Sequence, residues 1–225
     1  MANLRTGKYA GEYFGSYINE SQSLSNSEMK KNALYIYKAL KQYGWSNEAI
    51  AGLCGNIQAE SAFNPGRWQS DNVGNTSAGY GLVQWTPASK YFEWCNSESR
   101  SDASEMDNNI DRIIYEVEHN IQYYSTDTYP ESFKQFTQST QSPYYLACAF
   151  AWNYERSYVV LYGTEAEKEQ LRQKRGGNAR YWYEYLVGEE PPVNPDEPDT
   201  PNPDEPDAPT TRKKKMPVWM MCSPF

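Results

Sequence analysis

The sequence carries one carboxylate in an unusual place. Glu60 closes the run Glu48-Ala-Ile-Ala-Gly-Leu-Cys-Gly-Asn-Ile-Gln-Ala-Glu60, which is otherwise almost entirely apolar or small. Burial normally excludes glutamate unless something compensates. Burial and the negative end of a helix dipole both disfavour the ionised form, and a carboxyl held protonated near neutrality is what a general acid needs. The segment after it, Ser61 to Pro87, is rich in Gly, Asn, Ser, Tyr and Trp. Aromatic faces stack on sugar rings, and amides and hydroxyls meet their polar groups, so an acid beside such a surface suits cleavage of a glycosidic bond. A glutamate that caps or hydrogen-bonds the loop fits the same residues. Residue types alone leave both readings open.

Other chemistries lack their residues. The chain has one histidine, His119, whereas a zinc peptidase or amidase usually needs two or more; no metal site and no cofactor are expected. Cys54, Cys95, Cys148 and Cys222 show no CxxC spacing, and three of them sit in apolar contexts that read as buried free thiols. Cys148 with His119 is the sensible pair for a cysteine peptidase. Cys148 lies in the apolar stretch YYLACAFAW, however, without the positive surroundings that lower a thiol pKa. With 21 Lys+Arg against 29 Asp+Glu and a net charge of −8, the chain is a poor candidate for gripping nucleic acid. No apolar run approaches the roughly 18 residues of a membrane span. The stretch MANLRTGKYAGEYFGSY lacks the hydrophobic region of a standard signal peptide.

The elements that must position Glu60 follow from pattern. Residues 1–25, rich in Gly, Tyr and Ser, read as an arm lying on the domain. A helix starts at Asn26/Ser27, shows a partly amphipathic face (Leu34, Ile36, Tyr37, Leu40, Lys41) and stops at Gly44. Ser46 caps the next helix, whose buried stripe is Ile50, Leu53, Cys54 and Ile57. Gly52 and Gly55 cost helix stability but permit close packing against a neighbour. Asn64 to Thr86, punctuated by Pro and Gly, reads as irregular strands with a β-hairpin around Asp71–Ala78. Helical patterns return over 88–96, 104–124, 131–138, 143–155 and 165–187, and Gly176-Gly177 is a candidate break in the last. The expected fold class is α+β, mostly α, with a small β-hairpin insertion.

A resemblance sharpens this reading. Glu60-Ser61, Asn64-Pro65 and Gly79-Tyr-Gly-Leu-Val-Gln84-Trp-Thr-Pro87 look like the signature of the lysozyme superfamily, which includes goose-type lysozymes and soluble lytic transglycosylases. The longer stretch AGLCGNIQAESAFNPGRWQSDNVGNTSAGYGLVQWTPASKY resembles the phage tail lysozymes, hydrolases at the tail tip or knob of phages infecting Gram-positive hosts. NALYIYKALKQYGWSNEAIAG, FAWNYERS and RYWYEYL fit the same family, so the resemblance covers about residues 26–188. It implies a lysozyme-like catalytic domain over 26–188 that cleaves peptidoglycan glycan strands, with Glu60 protonating the oxygen between N-acetylmuramic acid and N-acetylglucosamine. It places Gln84 in the cleft, donating and accepting around the scissile sugar. Tyr80 and Trp85 stand as cleft-wall or core residues, and Thr76 and Ser77 as groups that position a water or an acetamide. Tyr154 resembles the tyrosine that hydrogen-bonds the acid in related transglycosylases, and Glu155-Arg156 reads as a structural ion pair nearby.

A second carboxylate is harder to find. Asp71 is the one acid between residues 61 and 92. It reads either as a base for water attack or as a turn residue before Asn72. Without a second carboxylate the sugar's own 2-acetamido group can assist, giving either a hydrolysed reducing end or a 1,6-anhydro end. A non-catalytic wall-binding module is the reading from another class; the acid in its motif argues against it. Beyond Gly188 the composition changes. Residues 189–211 form an extended Pro/acid-rich linker with no base before Arg212, stiffened by proline and stretched by like charges. Residues 212–225 are four bases and then a short apolar peptide, read as an incidental end or as a docking peptide for phage tail proteins or a membrane surface. The expected location is the virion tail, acting at the host wall. No peptidase domain is expected where the linker begins.

Overall fold

The computed structural model describes residues 3–15 and 24–188. The arm supplies an antiparallel hairpin, β1 (Leu4–Gly7) and β2 (Gly11–Phe14), in register Leu4 to Phe14 and Gly7 to Gly11. Everything else regular among the described residues is helical: α1 (Asn26–Gln42), α2 (Asn47–Ser61), α3 (Ser89–Ser97), α4 (Met106–His119), α5 (Phe133–Gln138), α6 (Pro143–Phe150), α7 (Tyr158–Tyr162) and α8 (Glu165–Val187). The expected class, mostly helical with a small antiparallel hairpin, is what the fold shows, but the hairpin lies in the arm. The stretch 71–78 forms no strands. A 3₁₀ turn at Gln69–Asp71 and left-handed Ser70, Asp71 and Gly74 coil it into successive turns, tied by isolated bridges from Tyr80 to Trp68 and Trp85.

Helix α2 is the axis of the domain. Ser46 accepts from the Ala49 N–H at 3.0 Å, and from Ala49 to Ile57 every residue is buried. Its two glycines admit two other backbones. A Cβ on Gly52 would sit 2.9 Å from Leu146 of α6, and one on Gly55 would sit 2.7 Å from the Arg175 carbonyl of α8. The Gly55 contact brings the Arg175 stretch of α8 against the end of α2 that carries Glu60. Helix α8 is capped by Thr164 and Glu167 and runs unbroken through Gly176-Gly177, so the expected break is absent. Gly176 instead leaves room for the Tyr144 ring, 2.1 Å from where a Cβ would stand.

Two other boundaries move for local reasons. The helix expected over 104–124 ends at His119 because Asn120 turns left-handed and its N–H closes onto the Glu116 and Val117 carbonyls; Ile121 is left partly exposed. The helix expected over 143–155 stays α-helical only to Phe150, then widens into a π turn at Ala151–Glu155. Such widenings rotate the residues beyond them and are frequent at functional sites. The arm hairpin is tied to the start of α4 through Arg5, which meets Asp102 at 3.0 Å and Glu105 at 3.2 Å, and Lys8, which meets Asp111 at 2.7 Å. Cys54, Cys95 and Cys148 are buried free thiols. Cys222, the linker 189–211 and the peptide 212–225 lie outside the described residues.

Candidate active site

A cleft of about 550 Å³ opens between the end of α2, the Gly79–Pro87 turn and the π turn. Glu60 reaches it from the last turn of α2. The chain must then leave the helix sharply, and Ala62 and Phe63 both take left-handed φ values of 49° and 59°. Such conformations cost free energy for residues with a Cβ and persist because the surroundings hold them. The Phe63 ring packs 4.7 Å from Trp182, and Asn32 donates to its carbonyl at 2.9 Å.

The opposite rim is the Gly79–Pro87 turn. Tyr80 and Trp85 exchange backbone hydrogen bonds of 3.2 and 2.9 Å, closing a tip in which Gly81 and Gln84 are left-handed. Asn109 of α4 holds the tip by accepting from the Leu82 N–H at 2.9 Å. Gln84 lines the cleft, with both amide hydrogens donated to backbone carbonyls, Arg67 at 3.1 Å and Gly81 at 2.9 Å. Its carbonyl oxygen is the group left for a ligand. The Trp85 ring stacks on Tyr91 at 4.4 Å, and Trp85 lines the cleft. Tyr80 lies among Trp68, Tyr91 and Phe92 in the core and is not part of the lining. Thr76 and Ser77 are exposed on the turns outside the cleft.

Arg67 and Glu155 line the cleft beside Glu60, Arg175 pairs with Glu60 from α8, and none of the three was anticipated in its observed role. The Arg175 Nη2 pairs with Glu60, and its Nη1 donates to the Asn56 carbonyl at 2.9 Å. The burial expected to weigh on Glu60 alone is thus met by a guanidinium. Arg175 adjoins the glycine pair that reads as a helix break, which hid its importance. Arg67 lines the cleft and pairs with Asp71 at 3.0 Å, which keeps the Asp71 carboxylate occupied at the rim. Glu155 lines the cleft from the π turn, with its Oε1 buried and without a hydrogen-bond partner. It does not pair with Arg156, whose guanidinium lies over the Tyr124 ring at 5.1 Å. Burial, reinforced by the charge on Glu60, pushes the Glu155 carboxyl well above the usual carboxylate range.

Tyr154 also lines the cleft, but its hydroxyl donates to Glu116 at 2.5 Å rather than to Glu60. Glu116 is a second buried carboxylate. It accepts from the Trp85 Nε1 at 3.0 Å and from the Arg112 Nε at 2.9 Å as well. Burial raises its pKa, and the Arg112 charge and the three donors oppose the rise. Through Glu116 the turn, α4 and the π turn are locked together. Only the helical spacing of Arg112 and Glu116 hints at this in the sequence.

The model of a family described as phage tail lysozyme matches residues 31–186. The chain is 41% identical over 172 residues to "Morphogenesis protein 1" of Bacillus phage B103, an alignment that covers 76% of this chain and 44% of that protein. The chain therefore spans less than half the length of that relative.

Proposed function

This chain belongs to the phage tail lysozyme family, and from that premise we propose that it is a virion-associated muramidase cutting the bond between N-acetylmuramic acid and N-acetylglucosamine to breach the host wall during genome delivery. Membership makes it a lysozyme-like peptidoglycan hydrolase of phage type. The finer reading is carried by one observation: Glu60, at the end of a buried helix, faces a cleft whose far rim is the Gly79–Pro87 turn. Glu60 protonates the glycosidic oxygen as the bond breaks. Gln84 accepts from a sugar hydroxyl or acetamide N–H through its free carbonyl oxygen, and Trp85 supplies an apolar contact. Asp71 serves the cleft through Arg67. The acidic linker and the terminal peptide, on composition, are the tether to phage tail proteins.

One observation favours a second product. The cleft carboxyl other than Glu60, Glu155, has a buried oxygen and is held toward its protonated form, which is a poor base for activating water. The sugar's own groups then close the ring, as in a lytic transglycosylase. A single digestion tests both readings. Gram-positive peptidoglycan is treated with the protein and with Glu60→Gln, and the soluble fragments are weighed by mass spectrometry. Reducing muramic acid ends that disappear with the variant support the muramidase, and ends lighter by one water support the transglycosylase. The Glu60 variant should lose about 10²- to 10⁴-fold in rate. Undiminished cleavage by it removes Glu60 from the chemistry, and no glycan cleavage by the wild type leaves a wall-binding module.

A further inference from the structure

Glu60 is engaged by Arg175 in an ion pair, yet a general acid must carry a proton when the bond breaks. The same cleft wall holds the group that can supply it. Glu155 keeps one carboxyl oxygen away from solvent with no hydrogen-bond partner. Arg175 shows the matching vacancy: Nη1 and Nη2 are engaged by Asn56 and Glu60, whereas Nε is buried and unpartnered. The charges that act on Glu155 come from three packed helices: Glu60 on α2, Arg175 on α8 and Glu116 on α4. Glu116 is already neutralised by Arg112 at 2.9 Å, and Arg156, next in sequence, is turned onto Tyr124. Arg67 and Arg156 also line the cleft, but Arg67 is paired with Asp71 at 3.0 Å and Arg156 lies over the Tyr124 ring, so Arg175, the partner of Glu60, is the guanidinium left to the two cleft carboxyls. Two carboxylates facing one cation, one of them with a buried and unpartnered oxygen, leave an uncompensated charge, which is costly. The set is balanced when the two carboxyls hold one proton between them.

We propose that Glu155 is a positioning residue for the acid, sharing a single proton with Glu60 across Arg175 and storing it while Glu60 is ion-paired. In the exchange, the O–H bond on Glu155 breaks and an O–H bond forms on Glu60. The Arg175 charge passes at the same time from the Glu60 carboxylate to the new Glu155 carboxylate, which its unpartnered Nε–H then meets. Glu60 delivers that proton to the glycosidic oxygen, and solvent reloads the pair. The raised pKa of Glu155 agrees with storage there. Glu155 touches no substrate in this scheme, which rests on Glu60 being the acid.

The test is kcat/KM against pH on suspended Gram-positive peptidoglycan for the full chain and for Glu155→Gln, Glu155→Asp and Glu60→Gln. Glu155→Gln is expected to move the alkaline limb of the profile at least about one pH unit toward acid, as loss of a coupled carboxyl requires. Activity near neutrality should fall about tenfold, and Glu155→Asp should restore most of the limb. A uniform loss at every pH, or an unmoved profile, overturns the proposal. A second measurement does not depend on the Glu155 variants folding. Glutamate carboxyls are labelled with carbon-13, and the protonated ones are counted near neutral pH by infrared spectroscopy in the wild type and in Glu60→Gln. One fewer is expected in Glu60→Gln, because the freed Arg175 pairs with Glu155; equal counts overturn the sharing. Retained glycan cleavage by Glu60→Gln removes the acid assignment and this proposal together. An inactive Glu60→Gln beside an unmoved Glu155→Gln profile removes the sharing alone.

Discussion

Two glutamates, Glu116 and Glu155, meet the π turn from different sides, and their surroundings treat them in opposite ways. On the α4 side, Glu116 receives Trp85, Arg112 and Tyr154, so both of its oxygens are engaged. On the wall made by α2, α8 and the π turn, Glu155 keeps a buried oxygen with no partner, and Arg175 keeps a buried Nε in the same state. Residues 154 and 155 are neighbours in the chain, yet the π turn sends one into the closed network and the other to the open one. A saturated polar cluster rigidifies and fixes shape. An unsaturated one costs stability and is retained where a proton or a ligand has to move. The first network holds the rim in place, and the second leaves two buried polar atoms unpaired beside Glu60.

The contrast can be broken experimentally, and the largest effect should come from the saturated network. Glu116→Ala strands Arg112 and removes the partners of Trp85 and Tyr154, so it should cost about 3–5 kcal/mol, read by urea unfolding. A loss below about 1 kcal/mol would mean that the network is not what holds the rim. Gly55→Ala acts on the other network by pressing a methyl group into the Arg175 backbone. It should cost about 1–3 kcal/mol and lower glycan cleavage by more than its effect on folding explains, because Arg175 is displaced from Glu60. Full activity in a folded Gly55→Ala would separate Arg175 from the acid.

Glu155→Gln sharpens the comparison through pH. The folded protein holds this carboxyl protonated above its usual range, whereas the unfolded chain releases the proton near the ordinary value of 4.5. The wild type therefore loses stability as pH rises from the unfolded pKa up to the folded one. The glutamine variant lacks that loss, so it should melt higher than the wild type near neutrality, at about 2–4 °C per kcal/mol, and the gap should close below the ordinary glutamate pKa. A gap that does not change with pH would contradict burial of a proton at Glu155. The smallest effect is expected from Asp71→Asn, which removes a half-exposed ion pair with Arg67 worth less than about 1 kcal/mol. Glycan cleavage should change by less than about threefold. A hundredfold loss would instead make Asp71 the base.

The sequence carried the helical half of the molecule well, because burial there is written in local spacing. Ile50, Leu53, Cys54 and Ile57 recur at helical intervals and are fully buried; Ser46 caps where a cap was expected; Gly52 and Gly55 mark the close contacts. It failed where a boundary depends on a single backbone choice. Asn120 could continue a helix or turn left-handed, and the 71–78 stretch had turn residues but no alternating pattern strong enough to pair. The glycine pair at 176–177 had two meanings, a break or a place for a ring, and only the position of Tyr144 selects between them.

The same division runs through the site. Glu60, and the turn that holds Gln84 and Trp85, stand within some 25 residues of each other, so type and order were enough to single them out. Arg175 is 115 residues from Glu60, and Tyr154 is 38 residues from Glu116. Pairings at such separations leave no periodic trace, because each partner's own neighbours satisfy their local rules without it. Sequence alone determined the family, the helical class and the place of a glutamate at the end of a buried helix, all properties of contiguous residues. Tertiary structure alone decided which carboxyl has a partner, since the counter-charge of a buried group is set by what the fold packs against it.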